Sequence, residues 1–514
     1  MKFSILIIVL LASLIGCKKP ETEEIKPIEI TTQFFGFNSQ QNPQLPQDIL
    51  CEIKADTIIG ITFSGVNISA LKPSFSLKAK QVLVNNQVQN SGISQHDFNK
   101  IIEYKVTEAD GFIKSYFVKL LTTNLPVLYI STNNVPIISK ENYVNGALKV
   151  SDKDHVESPF EGDIEIRGRG NSTWNLPKKP YKIKLGKKSK LLGMNEARQW
   201  VLLANYSDKT LLRNELGFEL SRKLGLAYTP ASKPIEVILN GKYIGSYQLV
   251  EQIEVSKTKV DIEEQNKKVI DSENISGGYL IEADGFARTE KINFRTNFLM
   301  DISVHYPDDE DISTSQINYV KSHITDFETA LFSADFANPS TGYRKYFDVD
   351  SYINFYLVNE IIGNPDLFWS QYLYKFKNND KWYTGPIWDL DIAGSNDIRI
   401  GNTQEKLMLN VGFKPKIWIN RLMQDKYFRN KIRERWNDVK GEKLNSLSFF
   451  ISQQAQKIQY SQSKNFQTWP ILGTIVYNNI QALGSFEAEV DFLKNYYTKR
   501  LLWLDTQFNG SQFD

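Results

Sequence analysis

Cysteine is nearly absent from this chain of 514 residues, which carries only Cys17 and Cys51. A disulfide framework is thereby excluded, and stability has to come from burial. Histidine is almost as scarce, with four residues at positions 96, 155, 305 and 323 that share no metal-ligand spacing, which argues against a zinc enzyme. There is no Gly-x-Ser-x-Gly elbow and no Walker-type phosphate loop, so hydrolase and P-loop readings have no support. An excess of one charge is missing too: 61 basic and 59 acidic residues leave a net charge of +2, which argues against nucleic acid as an obligate partner. The apolar content is ample, at 41% hydrophobic and 12% aromatic, enough for more than one core.

The first residues read as a lipoprotein signal peptide over 1–16. Lys2 precedes an apolar stretch from Phe3 to Ile15, and Leu14-Ile15-Gly16 leads to Cys17. The apolar run is shorter than the roughly 20 residues of a membrane span, and it ends at a cysteine where cleavage and lipidation would follow. A plain signal peptide with an incidental cysteine is the other reading. The charged stretch that follows makes 17–27 a solvated tether. These features predict a protein of the bacterial cell envelope whose membrane partner is reached through the lipid on Cys17, on either leaflet.

From 28 to 124 short alternating runs such as Ile58–Phe63, Lys80–Val84 and Ser115–Leu121 predict an all-β domain. Tyr104–Glu108 and Tyr116–Leu120, joined through Asp110-Gly111, resemble the closing hairpin of bacterial immunoglobulin-like modules, which usually serve as spacers.

Residues 125–514 read as one large α+β unit. Strands are predicted at Val127–Thr132, Asp163–Arg167 and Tyr181–Leu185. A helix capped by Ser207 or Asp208 follows, with Leu212, Leu216, Leu220 and Leu224 as its stripe and Gly225 as its end. Asn240-Gly241 predicts a type I′ hairpin that leads into Glu251. A second helix runs from a cap near Asp348 to Gly363. Beyond it, Asn364-Pro365-Asp366 breaks the chain, Tyr372–Phe376 is a strand, and Trp382–Asp391 is a second strand that would turn Asp389 and Asp391 to one face.

Phosphoryl transfer needs cations and a tight turn around the phosphates, carboxylates for Mg²⁺, and a carboxylate to accept the hydroxyl proton. The chain supplies these in the order of a protein kinase. A Gly-rich turn with Arg167 and Arg169 comes first, then Lys179 and Lys182, Glu215 on a capped helix, Glu251 at a hinge-like hairpin end, Asp366, and finally Asp389 with Asp391. Gln371 stands five positions after Asp366, where kinases carry an amide for the second metal.

Arg167-Gly168-Arg169-Gly170-Asn171-Ser172-Thr173-Trp174 with Lys178-Lys179-Pro180-Tyr181-Lys182-Ile183-Lys184-Leu185 resembles the signature of the spore coat protein H (CotH) kinase-like family. So do Asn240–Tyr247 and the segment from Asn364 to Asp391. The resemblance implies an atypical protein-kinase-like, two-lobed domain behind an N-terminal immunoglobulin-like sandwich. It also implies ATP and Mg²⁺ as cofactors, with Mn²⁺ as a substitute, and Ser or Thr of a secreted or surface protein as acceptor. Carried over, Asp366 would be the catalytic base and Asp389 the main Mg²⁺ ligand, with Asp391 and Gln371 as further metal ligands. Lys182 or Lys179 would contact phosphate, with Arg167 and Arg169 as lesser candidates. Glu215 would be the ion-pair partner of the strand lysine, although Glu219 sits one turn away. One departure stands out: the family often has Asn where this chain has Gln371, which bears on the second metal and on turnover. A kinase-like binding or surface-assembly protein without turnover is therefore the alternative reading, and a metal-dependent phosphoesterase built on Asp366, Asp389 and Asp391 is a third.

Overall fold

The structure is a computed structural model and describes residues 33–152, 160–269, 271 and 274–513. The signal peptide, tether and Cys17 lie outside the described residues. It is a mixed α+β protein with several sheets. Among the described residues no helix is long and apolar enough to cross a membrane.

Residues 34–122 form a three-stranded and a six-stranded sheet around a core that includes Phe35, Phe37, Ile58, Tyr104 and Val118. Alternation fixes which side faces that core: along Thr57–Thr62, Ile58, Gly60 and Thr62 are buried while their neighbours are half-exposed.

The next seven strands close into a barrel: β1 (Val127–Ser131), β2 (Val144–Ser151), β3 (Glu161–Gly168), β4 (Tyr181–Ser189), β5 (Ala197–Leu203), β6 (Ser232–Leu239) and β7 (Lys242–Glu251). Their order is β1-β2-β3-β4-β5-β7-β6, and closure comes from parallel pairing of β1 with β6. Ile164, Ile166, Ile183, Leu185 and Trp200 fill the interior. Asn240 (φ +50°) and Gly241 (φ +77°) make the β6–β7 turn in the left-handed region, as Asn-Gly predicts.

α1 (Arg213–Leu224) runs between β5 and β6 and ends at Gly225 in the left-handed conformation. Its leucine stripe is buried as expected, but its first turn starts later than the expected cap. Asp208 accepts from Thr210 N–H and Arg213 N–H instead, so 208–212 is a separate turn ahead of the helix.

A second sheet holds β8 (Tyr279–Asp284), β9 (Asn293–Arg295), β10 (Asp301–Tyr306), β11 (Ser370–Lys375) and β12 (Trp382–Thr384) in the order β9-β10-β8-β11-β12. Around it pack α2 (Thr314–Phe332), α3 (Val349–Ile362), α4 (Lys426–Val439), α5 (Gln459–Thr468) and α6 (Phe486–Phe508). Asp348 caps α3 through Ser351 N–H, and Gly363 ends it at φ +65°. The strand expected over Trp382–Asp391 is corrected to three residues. Gly385 at φ +128° leaves the ladder, Pro386 has no N–H to give it, and Asp389 at φ +59° lies in a loop. Asp389 and Asp391 therefore do not share a strand face.

Candidate functional site

The turn between β3 and β4 forms one wall of a cleft. Gly168 is required because the Trp174 ring closes over it, and a Cβ there would come within 2.4 Å of the indole. Gly170 turns the chain at φ +82°, and Arg169 N–H ties it back to Pro180 O at 3.2 Å. The turn so fixed presents Arg169, whose guanidinium lies 5.5 Å from the Trp388 ring centre and faces Asp389, Tyr372 and Asp391. Arg167 lies 5.1 Å from the Tyr143 ring centre, with its Nε buried and unpartnered. Lys182 is directly opposite Arg167 in the β3–β4 register. Burial, then the charges of Arg167 and Arg169, push the Lys182 ammonium down to about 8. Among the described residues none of these three cations has an ion-pair partner within 4 Å.

The opposite wall is the loop after β12, which the start of α1 clamps. Asn214 Oδ1 accepts from Leu390 N–H at 3.0 Å, and Arg213 Nε donates to Ala393 O at 2.8 Å. Ser207 Oγ donates to Asp391 Oδ2 at 2.8 Å. Behind it Asn396 bonds Ser207 O and Asp391 O, Asn479 bonds Ser207 O and Asn396, and Lys209 bonds Asn479. Left-handed backbone at a non-glycine residue is uncommon, and such residues gather at functional sites. Asp389 is of that kind, and its side chain stays open to solvent although protein surrounds it, as on a cleft wall. The cleft is lined among others by Arg169, Lys178, Asn205, Asn214, Asp389 and Asp391. A larger concavity lies on the barrel beside Ser131, Asn145 and Glu165 and gathers no comparable set of groups.

Asp366 stands in the turn after α3. Its backbone O accepts from Trp369 N–H at 2.7 Å and Ser370 N–H at 3.1 Å. Among the described residues its carboxyl takes no hydrogen bond. Burial, then Asp389, push it up to about 7 against the pull of Arg399. Asp391 is also raised to about 7, by burial and then by Asp389, while Ser207 opposes. Burial raises Asp389 as well, and Arg169 counters it. Asp366 and Asp391 thus each feel the charge of the solvent-open Asp389, which Arg169 partly offsets.

The remaining predicted residues are placed differently. Lys179 Nζ donates to Trp174 O at 2.7 Å and so braces the turn. Glu215 binds Ser232, Gln248 and Arg222 of its own helix, not Lys182. Glu251 accepts from Tyr228 OH and Ala231 N–H. Gln371 pairs with Ala283 in the sheet and donates to Phe368 O at 3.4 Å, on the side of β11 that joins the main core. Sequence reasoning gave Ser207 only as a helix cap and missed Asn214, Asn396 and Asn479, which act through long-range contacts. It also missed Glu282 and Asp284, whose i, i+2 spacing at the end of an apolar strand was a usable signal.

The cleft sets arginine and lysine near carboxylates, between the barrel and the helical body of a mixed α+β protein. The family model described as CotH kinase protein matches residues 166–504, and the chain belongs to that family. No curated protein matches. Among solved structures, a putative glycoside hydrolase from Bacteroides thetaiotaomicron VPI-5482 is 17% identical over 37% of this chain and 48% of its own, with a TM-score of 0.13. A score that low carries no structural inference.

Kinase-like families use ATP and a divalent metal in general. Among the described residues no three acidic, histidine or cysteine side chains surround one point. Mg²⁺ does not require that, since it is usually held by one or two carboxylates together with substrate phosphates and water. The mutual repulsion of Asp366, Asp389 and Asp391 and the unpartnered Nε of Arg167 fit a bound cation and polyphosphate.

Proposed function

We propose that the protein is an exported, lipid-anchored atypical kinase that transfers phosphate from ATP to Ser or Thr of a secreted or surface protein. The observation that carries this reading is the approach of Asp366, Asp389 and Asp391 to one another opposite Arg169. In the proposal Asp389 and Asp391 would hold Mg²⁺, which would supply positive charge against the phosphates. Arg169, Arg167 and Lys182 bind the polyphosphate. Asp366, with a free carboxyl already raised toward neutrality, accepts the acceptor hydroxyl proton. The barrel and the helical body correspond to the two lobes of a kinase, and the N-terminal β unit to an immunoglobulin-like module.

Incubation with labelled ATP and Mg²⁺ or Mn²⁺ tests the reading. Label should pass to protein from the wild-type chain, and Asp389→Asn should lose it. Equal labelling by both would remove Asp389 from its role, and release of free phosphate alone would favour a phosphoesterase. Lipidation is tested by Cys17→Ser, which should move the protein out of the membrane fraction.

A reading without turnover is favoured by the placement of Gln371, since the amide that kinases use for the second metal faces the core here. It predicts Mg²⁺-dependent nucleotide binding with no transfer.

A further inference from the structure

On the face of the second sheet opposite Gln371, Glu282 collects donors that the proposed chemistry leaves without a role. Its Oε1 accepts from Ser370 Oγ, and its Oε2 accepts from His305 Nε2 at 2.8 Å, which places the imidazole proton on Nε2. The Tyr372 hydroxyl also bonds Glu282, and the two residues are direct partners in the β8–β11 register. The His305 ring sits 5.4 Å from that of Tyr372. Glu282 is 6% exposed, so these donors are what make its burial tolerable.

Both donors on β11 lead to the cleft. Ser370 N–H donates to Asp366 O, so one residue is bonded at once to the backbone of the proposed base and to Glu282. Tyr372, whose phenol burial keeps neutral, lies near Arg169, and Arg169 faces Asp389. Resting on the kinase reading above, we propose that Glu282 is a positioning residue. From β8 it pins Ser370 and Tyr372, and through them it sets the Asp366 turn and the Arg169 guanidinium relative to Asp389.

Misplacement by about 1 Å costs phosphoryl transfer on the order of a hundredfold without removing any group that touches nucleotide. Glu282→Ala is therefore expected to lower kcat about a hundredfold, with a smaller change in KM for ATP and in the Mg²⁺-dependent rise in Tm with ATP, because Arg169 is displaced but not removed. Glu282→Gln keeps an acceptor for both hydroxyls and should recover most of the loss. The double variant Ser370→Ala with Tyr372→Phe should reproduce the Glu282→Ala defect, and adding Glu282→Ala to it should cost little more, because the three act as one unit. Wild-type kcat in Glu282→Ala, a defect in KM in place of kcat, or strictly additive losses would each overturn the assignment. If Glu282→Ala does not fold, the double variant decides, with wild-type kcat the contrary result. A wild-type chain that shows neither the Tm shift nor transfer ends the kinase reading and takes this one with it. Transfer by wild type and Glu282→Ala alike ends this one only.

Discussion

Asp366 shows what a single residue in this cleft costs the fold. Its carboxyl is raised from the usual range to about 7 by burial and then by Asp389, so the folded state holds a proton that the unfolded state gives up near 4. Folding is then opposed above about 7, and the opposition fades as pH falls toward the unfolded value. Without nucleotide or Mg²⁺, Asp366→Asn should raise Tm at pH 7.5 by about 1–3 °C and have little effect at pH 4. A thermal melt at the two values checks it, and a stabilisation confined to low pH would contradict it. The turn at Asp366 was legible in the sequence because Asn364-Pro365 announces it. Gln371 was legible as a spacing but not as a direction. Which face of β11 it takes is set by pairing with Ala283, and no local pattern reports that pairing.

At the scale of elements, α1 is the part on which the site depends most. Leu390 stands between Asp389 and Asp391 and packs on Gly217, where a Cβ would come within 2.0 Å of Leu390 Cδ1. Gly217→Ala should cost about 1–3 kcal/mol of stability and lower transfer by displacing the loop that carries both aspartates. Asn214→Ala leaves the buried Leu390 N–H without its acceptor, at a cost of about 1–3 kcal/mol. Denaturant titration reads both effects, and unchanged midpoints would count against the clamp. The helix itself was plain in the sequence, because a leucine every fourth residue and a terminal glycine are local signals. Its clamping role was not, since Asn214 meets its partner 176 residues away. The capping box that opens α2, Ser313 with Gln316, was written in the sequence and passed over. The over-long strand from Trp382 has a local cause, because Gly385 and Pro386 were already visible as breakers.

Across the whole molecule, the N-terminal unit is packed on the barrel. Phe63 and Tyr243 have ring centres 4.7 Å apart, and the buried Lys464 of α5 lies 5.7 Å from the Phe63 ring. Lys464 also interacts with Glu236 of the barrel and with Cys51 of the N-terminal unit. Burial pushes the Cys51 thiol up to about 12, so it should react with thiol reagents only when the protein opens. In a Cys17→Ser chain, labelling of Cys51 should follow the unfolding transition, and rapid labelling under native conditions would contradict the packing. The helical body is tied in a similar way by a fully buried pair, Arg500 of α6 with Glu360 of α3 at 2.9 Å. Truncating either partner should cost about 3–5 kcal/mol, because the other charge would be left buried without its counter-charge.

The central claim is that carboxylates and cations meet across one cleft to hold a metal-bound nucleotide. Its most direct test is the Tm of the wild-type and Asp389→Asn chains with ATP, in Mg²⁺ and in EDTA. A ligand that binds only the folded state must raise Tm. A rise is expected for the wild type with ATP and Mg²⁺, and it should disappear in EDTA and in Asp389→Asn. No rise in the wild type, or an equal rise in the variant, would contradict the claim.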